Sequence, residues 1–249
     1  MVESTYGERK HPVQDALQAL AAVINRTVQR EGVVVIPAFA VGRTQMLLHY
    51  IRVLKDAGTI PDIPIYLNSP MAVDATDIFV RHHQEHRLTL QQCEAACSVA
   101  KIIRTAEESK ALNRRKGPMV IIAGSGMATG GRVVHHLKAF APDQRNTILF
   151  AGFQAEGTRG AALVNGAKSI RIHGEEVPVL AQIESIDSLS AHADYTQIIA
   201  WLKQMQLAPR QVFVTHGEQQ AATAMAQHIE QELHWPARVP EYLERVQLN

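Results

Sequence analysis

The apolar residues of this chain follow two alternating periods. Helical spacing predicts helices over 13–30 and 41–57, whereas the apolar runs "GVVVIPAF" (32–39) and "PMVIIAG" (118–124) are typical of strands buried on both faces. The same pattern predicts strands at 63–67, 100–104 and 146–152, with helices near 71–83, near 88–97 and from a glycine-rich turn to Phe140. This alternation predicts an α/β fold with a mostly parallel sheet flanked by helices.

The pattern changes after about residue 168. "AKSIRIHG" and "EEVPVLAQIESI" predict paired strands with Gly174 at the turn, followed by a helix, the strand "RQVFVTH" and a last helix. No apolar run approaches the ~18 residues that span a bilayer, and "MVESTYGERKHP" lacks the apolar core of a secretory signal. We therefore expect no membrane contact.

The net charge of +1 hides an asymmetry along the chain. Residues 101–175 contain twelve Lys/Arg against five Asp/Glu, a net +7, so the rest of the chain carries −6. A basic middle favours a surface that faces a polyanion, although an accidental excess on a solvated surface would give the same count. Cys93 and Cys97, four apart in a predicted helix, indicate free thiols in a reducing compartment and hence a cytoplasmic protein.

The segment "IIAGSGMATGGR" (121–132) is a strand, a glycine-rich loop and the start of a helix. Glycines let backbone N–H groups point into a concavity, and a helix start adds partial positive charge, so this loop can bind phosphate. Ser125, Thr129 and Arg132 can add donors, and Arg159 in "QAEGTRGAALV" (154–164) can face the same anion. The alternative is a tight connection without a ligand, since no Walker Gly-Lys follows.

Two isolated histidines are candidates for metal or acid–base chemistry. His216 ends the strand "QVFVT" before a glycine, where its ring can face a site at the sheet edge, and zinc favours neutral imidazole ligands. His192 in "SIDSLSAHADY" (185–195) can bind metal or act as a general acid, with Asp194 or another carboxylate orienting it. Each can also be a hydrogen-bonded structural histidine.

The remaining histidine pairs carry less weight. In "RHHQEH" (81–86), His82 and His86 are expected on one face of a solvated helix that lacks the glutamate of the helical zinc motif. His135 and His136, at the start of the helix beyond the glycine loop, are expected to face outward or toward the phosphate.

Seven stretches together resemble a known family. "ESTYGERKH" (3–11), "IPAFAVGRTQMLL" (36–48), "NSPMAVDAT" (68–76), "GSGMATGGR", "FQAEGTRG", "SLSAHADY" and "VTHGEQ" occur in the order of the β-CASP branch of the metallo-β-lactamase superfamily. That branch includes the zinc-dependent nuclease subunit of messenger-RNA 3′-end processing and its prokaryotic relatives. The resemblance covers almost the whole chain.

The resemblance implies a role for each matching residue. The family's signature acidic residue matches Glu3, its signature histidine His192 and its last one His216, whose identity as histidine is typical of members acting on RNA. His216 would be a zinc ligand, and His192, held by Glu3, would protonate the leaving oxygen or steady the scissile phosphate. The implied RNA-phosphate contacts are Gly124, Ser125, Gly126, Met127, Gly130, Gly131, Arg132 and Arg159.

The chain departs from the family in one respect. The main zinc motif, H-x-H-x-D-H, occurs nowhere in the sequence, so we interpret the chain as the carboxyl-terminal part of a longer protein. Residues 8–188 would be the β-CASP domain, and 1–7 with 189–249 would be remnants of the αββα metallo-β-lactamase domain. Two zinc ions are expected in the parent protein, with the site incomplete here and this chain alone inactive.

These observations leave three hypotheses for the function. The first is a zinc-dependent ribonuclease that cuts internally, from an end, or both, with RNA as partner and a possible homodimer. The second is a non-catalytic RNA-binding scaffold of the same family, which would have no chemical need for Glu3, His192 and His216 together. A small-molecule hydrolase is the third, and the β-CASP segment and basic middle count against it.

Overall fold

A computed structural model describes residues 1–247 of the chain. Within these residues the fold divides into two units: Gln14–Leu189 form the larger one, and Met1–Val13 together with the chain from Ser190 onward form the smaller one. The limits predicted for the β-CASP domain, 8–188, lie near those of the larger unit and stay a prediction.

The larger unit is built on a parallel sheet. Its strands lie in the order β4-β3-β5-β2-β6-β9, and every pairing between neighbours is parallel. The predicted parallel α/β sheet is therefore confirmed. The strands are β2 Val33–Pro37, β3 Ile65–Asn68, β4 Lys101–Ile102, β5 Met119–Ala123, β6 Thr147–Phe150 and β9 Gln182–Ser185; β1 belongs to the smaller unit.

Helices cover both faces of this sheet. Val34 and Ile36 of β2 belong to one apolar cluster and Val33 and Val35 to another, so alternate side chains of the strand are buried on opposite faces. This double burial explains why the central strands are apolar throughout. The helices are α1 Ala16–Gln29, α2 Arg43–Asp56, α3 Pro70–Arg81, α4 Leu90–Ser98, α5 Ala106–Asn113, α6 Arg132–Phe140 and α7 Arg159–Val164.

The predicted hairpin after residue 168 is confirmed in its first half only. β7 (Ser169–Ile172) pairs antiparallel with β8 (Glu175–Pro178), and Gly174 occupies the turn with a φ of 83°. The predicted second strand does not continue beyond Pro178: the chain breaks, and β9 then joins β6 in the parallel sheet. The Val179 N–H still donates to the Lys168 carbonyl oxygen at 2.8 Å, but the N–H groups of Leu180 and Ala181 donate to the Ala141 carbonyl oxygen at 2.8 and 2.9 Å, which directs the chain away from the hairpin.

The smaller unit contains a parallel sheet in the order β1-β10-β11. Val2 of β1 and Val214 of β10 pack with Ile199 and Met225 from its two helices, so an apolar core lies beneath the sheet. The predicted helix–strand–helix order is confirmed. The elements are β1 Val2–Glu3, α8 Tyr195–Leu202, β10 Val212–Thr215, α9 Gln219–Leu233 and β11 Ala237–Arg238.

Two of the histidine predictions are wrong. His82 and His86 do not share a helical face, because α3 ends at Arg81 and a 3₁₀ turn follows; the His86 ring stacks instead on Phe79 at 4.1 Å between centroids. His136 faces neither solvent nor the glycine loop but is fully buried.

No helix among the described residues is long and apolar enough to cross a membrane.

Candidate functional site

Strand pairing in the smaller unit places Glu3 beside the residue that precedes His216. β1 and β10 run parallel, with Glu3 opposite Thr215, so Glu3 and His216 emerge at the same edge of the sheet. The Ser4 hydroxyl donates to the Thr215 carbonyl at 2.9 Å and ties the two strand ends together. Carboxyl ends of adjacent parallel strands thus supply two of the three candidate residues.

His192 reaches this edge from the loop before α8. Its Nδ1 lies 3.2 Å from Glu3 Oε1, and its ring centroid lies 5.4 Å from that of His216. The ligand atoms of Glu3, His192 and His216 all lie within 4.8 Å of one another. The structure therefore brings together the three residues that the resemblance singled out, although Glu3 and His192 are 189 positions apart in the sequence.

Thr5 is a site residue that the sequence reasoning missed. Its Oγ1 lies 3.3 Å from Nδ1 of both His192 and His216 and 3.2 Å from the His216 carbonyl oxygen, and its backbone N–H donates to Glu3 Oε2 at 2.9 Å. The available signal was its position two residues after Glu3, just past the end of β1. With Nδ1 of both rings facing Thr5 or Glu3, Nε2 of each ring stays available for metal or substrate.

Glu3 is held in its charged form. Partial burial raises the pKa of its carboxyl group, but hydrogen bonds from the backbone and side chain of Thr5 and the charge of His192 more than offset this, and the net pKa is lowered. The side chains of Glu3 and His192 are 30% and 38% exposed, so substrate can approach the pair. A charged carboxylate at 3.2 Å from Nδ1 favours a proton on that nitrogen and fixes the ring orientation.

Asp194 does not orient His192, although the sequence offered it as a candidate. Its carboxylate caps α8 by accepting from the Gln197 N–H and also accepts from the Thr196 hydroxyl and the His11 N–H. His11 in turn places its Nε2 2.7 Å from the His192 carbonyl oxygen. Asp194 thus positions the loop backbone, while Glu3 orients the ring.

The residue after His216 must be small. His216 has a φ of 53°, and a Cβ added at Gly217 would lie 2.3 Å from Ser4 Oγ and 2.6 Å from the Ser4 carbonyl oxygen. This close approach explains the His-Gly pair that ends the strand.

The glycine loop lies in the larger unit, between β5 and α6. Ser125 Oγ accepts from the backbone N–H groups of Thr129 and Gly130 at 3.2 and 3.4 Å, which folds the loop around this hydroxyl. Within residues 1–247, the N–H groups of Gly126, Met127 and Gly131 have no protein acceptor. Three donors are therefore available to an anion.

The two arginines predicted at the loop are engaged with the protein itself. Arg132 donates to Asn68 Oδ1 at 2.7 Å and to the carbonyl oxygens of Ile103 and Arg104 at 2.9 and 2.6 Å. Arg159 donates to the carbonyls of Ala128 and Arg171 at 2.6 and 3.0 Å. Both brace the fold, so their contribution to phosphate binding would be mainly long-range charge.

A buried polar network lies behind Arg132. Asn68 Nδ2 lies 2.6 Å from His136 Nε2, and His136 Nδ1 lies 2.5 Å from Asn113 Oδ1. Burial, with the charges of His135 and Arg132, lowers the pKa of His136 to about 4. The imidazole is therefore neutral and anchors α6 directly after the loop.

Comparisons with known proteins identify two domain families along the chain. A Beta-Casp domain matches residues 44–163, and a Zn-dependent metallo-hydrolase RNA specificity domain matches residues 176–240. Glu3, before the first match, and His192 and His216, within the second, together form the cluster described above.

Similar proteins include nucleases and a transcription factor. A ribonuclease of Thermus thermophilus is 38% identical over 234 residues, which cover 90% of this chain and 52% of the relative. Transcription termination factor FttA of Methanosarcina mazei is 34% identical over 261 residues (99% and 41%), and an RNase J-like protein of Methanocaldococcus jannaschii is 32% identical over 244 residues (96% and 56%). The chain spans about half the length of these relatives. With both domains matched in this order, the chain belongs to the β-CASP family of the metallo-β-lactamase superfamily.

Proposed function

We propose that this chain is part of a zinc-dependent ribonuclease that hydrolyses RNA phosphodiester bonds, with His192 and Glu3 as catalytic residues and His216 as a metal ligand. The observation that carries the proposal is the 3.2 Å contact between Glu3 and His192 directly beside His216. A histidine with a purely structural role is not expected to lie beside a second imidazole and a charged carboxylate at a half-exposed edge of the sheet.

The donor set at this edge fits zinc. Two imidazoles and one carboxylate are ligand types that zinc prefers, and their ligand atoms lie within 4.8 Å of one another. Zinc, when bound, would supply a water of lowered pKa for attack on phosphorus. We assign His216 as the ligand among the three, because Glu3 contacts the His192 ring through Nδ1, whereas Nδ1 of His216 faces the Thr5 hydroxyl; two ions are proposed for the whole protein.

His192 would donate a proton to the leaving oxygen. Glu3 accepts from Nδ1, which leaves Nε2 to carry the transferable proton toward the substrate. Thr5 would steady both rings through its hydroxyl.

The glycine loop would hold an RNA phosphate. The N–H groups of Gly126, Met127 and Gly131 supply donors, and Ser125 shapes the loop around them. The domain match described as an RNA specificity domain supports RNA as the ligand. Two free cysteines support a cytoplasmic setting, which we propose with it. A homodimer also stays a prediction.

Zinc content and cleavage of labelled single-stranded RNA test the proposal. They are measured for this chain and for an extended protein, meaning this chain joined at its amino end to a segment that supplies an H-x-H-x-D-H motif. We expect the chain alone to be inactive, because a single family ligand cannot hold two metals. The extended protein should bind about two zinc ions and cut RNA, and His216→Ala should abolish cleavage while His228→Ala does not. An extended protein that binds zinc but cuts no RNA would refute the assignment.

A second candidate is a non-catalytic RNA-binding protein. The specific observation in its favour is that several similar proteins are named transcription termination factors rather than ribonucleases. An extended protein that binds RNA without zinc, and whose RNA affinity is unchanged by His192→Ala, would support this candidate over the nuclease.

A further inference from the structure

We propose that a basic cavity at the β4 edge of the larger unit binds the backbone of an RNA strand, as a contact separate from the glycine loop. The inference rests on the RNA-binding part of the proposed function and adds a second place where the strand is held. The inference concerns Lys and Arg side chains of residues 101–116, which are not part of the glycine loop.

The cavity has a volume of about 360 Å³ and is lined by residues of β3, β4 and α5. Tyr66 lies in its wall with Lys101, Arg114 and Arg115 around it, and Glu108 is the acidic residue that lines it. The Glu108 carboxylate accepts the backbone N–H groups of Arg104 and Thr105, and these bonds cap α5. Its carboxylate is therefore hydrogen-bonded to the helix start and also interacts electrostatically with Lys101, one of the three cations of the cavity.

The cations of this segment are not neutralised by nearby acids. Residues 101–116 contain six Lys/Arg against two Asp/Glu, and among the described residues none of the six forms an ion pair. Elsewhere in the basic middle the pattern is different: Lys138 pairs with Glu175, Arg145 pairs with Asp143, and Arg132 donates to three protein oxygens. Three of the six cations, Lys101, Arg114 and Arg115, line the cavity, so part of the +7 charge is available to a ligand there.

Arg115 is held in a suitable orientation for a nucleic acid. Its guanidinium carbon lies 5.6 Å from the centroid of the Tyr66 ring, and Tyr66 is only 6% exposed. The guanidinium thus lies within cation–π distance of a fixed aromatic ring, which reduces the side-chain freedom lost on binding. Arg115 is itself exposed, so its opposite face can stack on a base while its N–H groups contact phosphate.

Chain direction separates the cavity from the glycine loop. Arg114 and Arg115 precede β5, whereas the loop from Gly124 onward follows it, so the two sites lie at opposite ends of that strand. Five residues of strand span about 17 Å. One phosphate group cannot occupy both sites, so the cavity is a distinct contact along a longer strand.

Equilibrium binding of a single-stranded 20-nucleotide RNA to the full chain, over a series of salt concentrations (about 50 to 200 mM), tests the proposal. We expect the double variant R114Q/R115Q to bind on the order of tenfold more weakly, with the slope of log affinity against log salt reduced by about 1.4. R115K should keep the slope but lose part of the affinity, because lysine keeps the charge without the planar stacking face. The matched control R26Q/R145Q removes the same charge from ion-paired positions of the same unit and should bind like the wild type.

Each remaining outcome decides between the two proposals. If the wild type, R114Q/R115Q and the control R26Q/R145Q all bound RNA with equal affinity, the proposal that the cavity binds RNA would be refuted, and the proposed RNA-binding function would stand. Loss of RNA binding in R114Q/R115Q, with an extended protein that never cuts RNA, would support the cavity and refute the nuclease. If R114Q/R115Q lost affinity for polyglutamate but not for RNA, the cavity would be a surface for acidic proteins, and the proposal would fail. A wild-type chain that binds no RNA would overturn both.

Discussion

His136 should make the larger unit sensitive to mild acid. Arg132 donates to Asn68 Oδ1, which turns the Asn68 amide nitrogen toward His136 Nε2. Nε2 must therefore accept, and Nδ1 carries the proton that is donated to Asn113 Oδ1. A second proton would have to be placed on Nε2, facing the Asn68 NH₂ group, inside a fully buried site. Protonation of His136 thus removes a hydrogen bond and buries a charge at once.

The pKa of His136 gives the magnitude. Burial, with the charges of His135 and Arg132, lowers this pKa from 6.5 to about 4, which corresponds to about 3 kcal/mol at about 1.4 kcal/mol for each tenfold change in proton affinity. The unfolded chain binds the proton more tightly than the folded one. The stabilisation is therefore fully present above pH ~6.5 and is lost as the pH falls toward ~4, with about 2 kcal/mol gone by pH ~5. That is a large share of a typical free energy of unfolding of about 5–15 kcal/mol.

Urea unfolding at a series of pH values measures the effect. Both tryptophans of the chain, Trp201 and Trp235, lie in the smaller unit, so unfolding of the larger unit must be followed by far-ultraviolet circular dichroism. His136→Gln should be less stable than the wild type near pH ~7 but should lose less stability between pH ~7 and ~4, by about 3 kcal/mol. His82→Gln, at an exposed position, should follow the wild type. Identical pH dependence in the wild type and His136→Gln would refute the reasoning.

Two further predictions concern Thr5 of the smaller unit and the glycine loop of the larger unit. Thr5→Val in the extended protein should slow RNA cleavage by roughly 10- to 100-fold, because the Thr5 hydroxyl orients the rings of His192 and His216. The free energy of unfolding should change by about 1 kcal/mol or less, because the hydroxyl does not support the core. An unchanged cleavage rate would mean that the hydroxyl does not position the rings. Gly131→Ala should destabilise the chain by about 1–3 kcal/mol and weaken RNA binding, since Gly131 has a φ of 69° and its added Cβ would lie 2.6 Å from the Gly124 carbonyl oxygen. Gly130→Ala meets no atom within 4 Å and should leave stability nearly unchanged, as measured by urea unfolding; equal losses in both variants would contradict the steric argument.

The sheet of the larger unit was predictable because its central strands are buried on both faces. Val33–Pro37 and Met119–Ala123 are apolar throughout, and no helical or half-exposed alternative fits runs of that length between turns. The break after Pro178 was not predicted, because residues 175–186 read as one apolar–polar alternation. Which strand pairs with β9 depends on tertiary contacts that local pattern does not encode.

The error at His136 was avoidable from periodicity. The buried positions of α6 are Val133, Val134, His136, Leu137 and Phe140, so His136 lies on the apolar face at helical spacing. Val133, Leu137 and Phe140 define the apolar face of α6, and at helical spacing His136 lies on this face whereas His135 does not. By contrast, the role of Thr5 could not be predicted from the sequence pattern, because it depends on contacts between two strand ends and a loop that is distant in the sequence.

Net charge along a sequence shows where cations are, but their neighbours determine whether a ligand can use them. The arginines around the glycine loop donate to backbone carbonyls and an amide oxygen, so the loop offers an anion mainly backbone N–H groups. The cations of residues 101–116 form no ion pairs among the described residues, and Glu108, the acid that lines the cavity with them, caps a helix and interacts electrostatically with Lys101. The positive residues of 101–175 therefore predict two different kinds of contact with RNA. At the loop the contacts are short-range hydrogen bonds from backbone N–H groups, and at the cavity they are salt-dependent contacts with positive side chains. If the slope of log affinity against log salt falls by about 1.4 in R114Q/R115Q and is unchanged in Gly131→Ala, then charge and geometry are divided between the two ends of β5 as this arrangement requires.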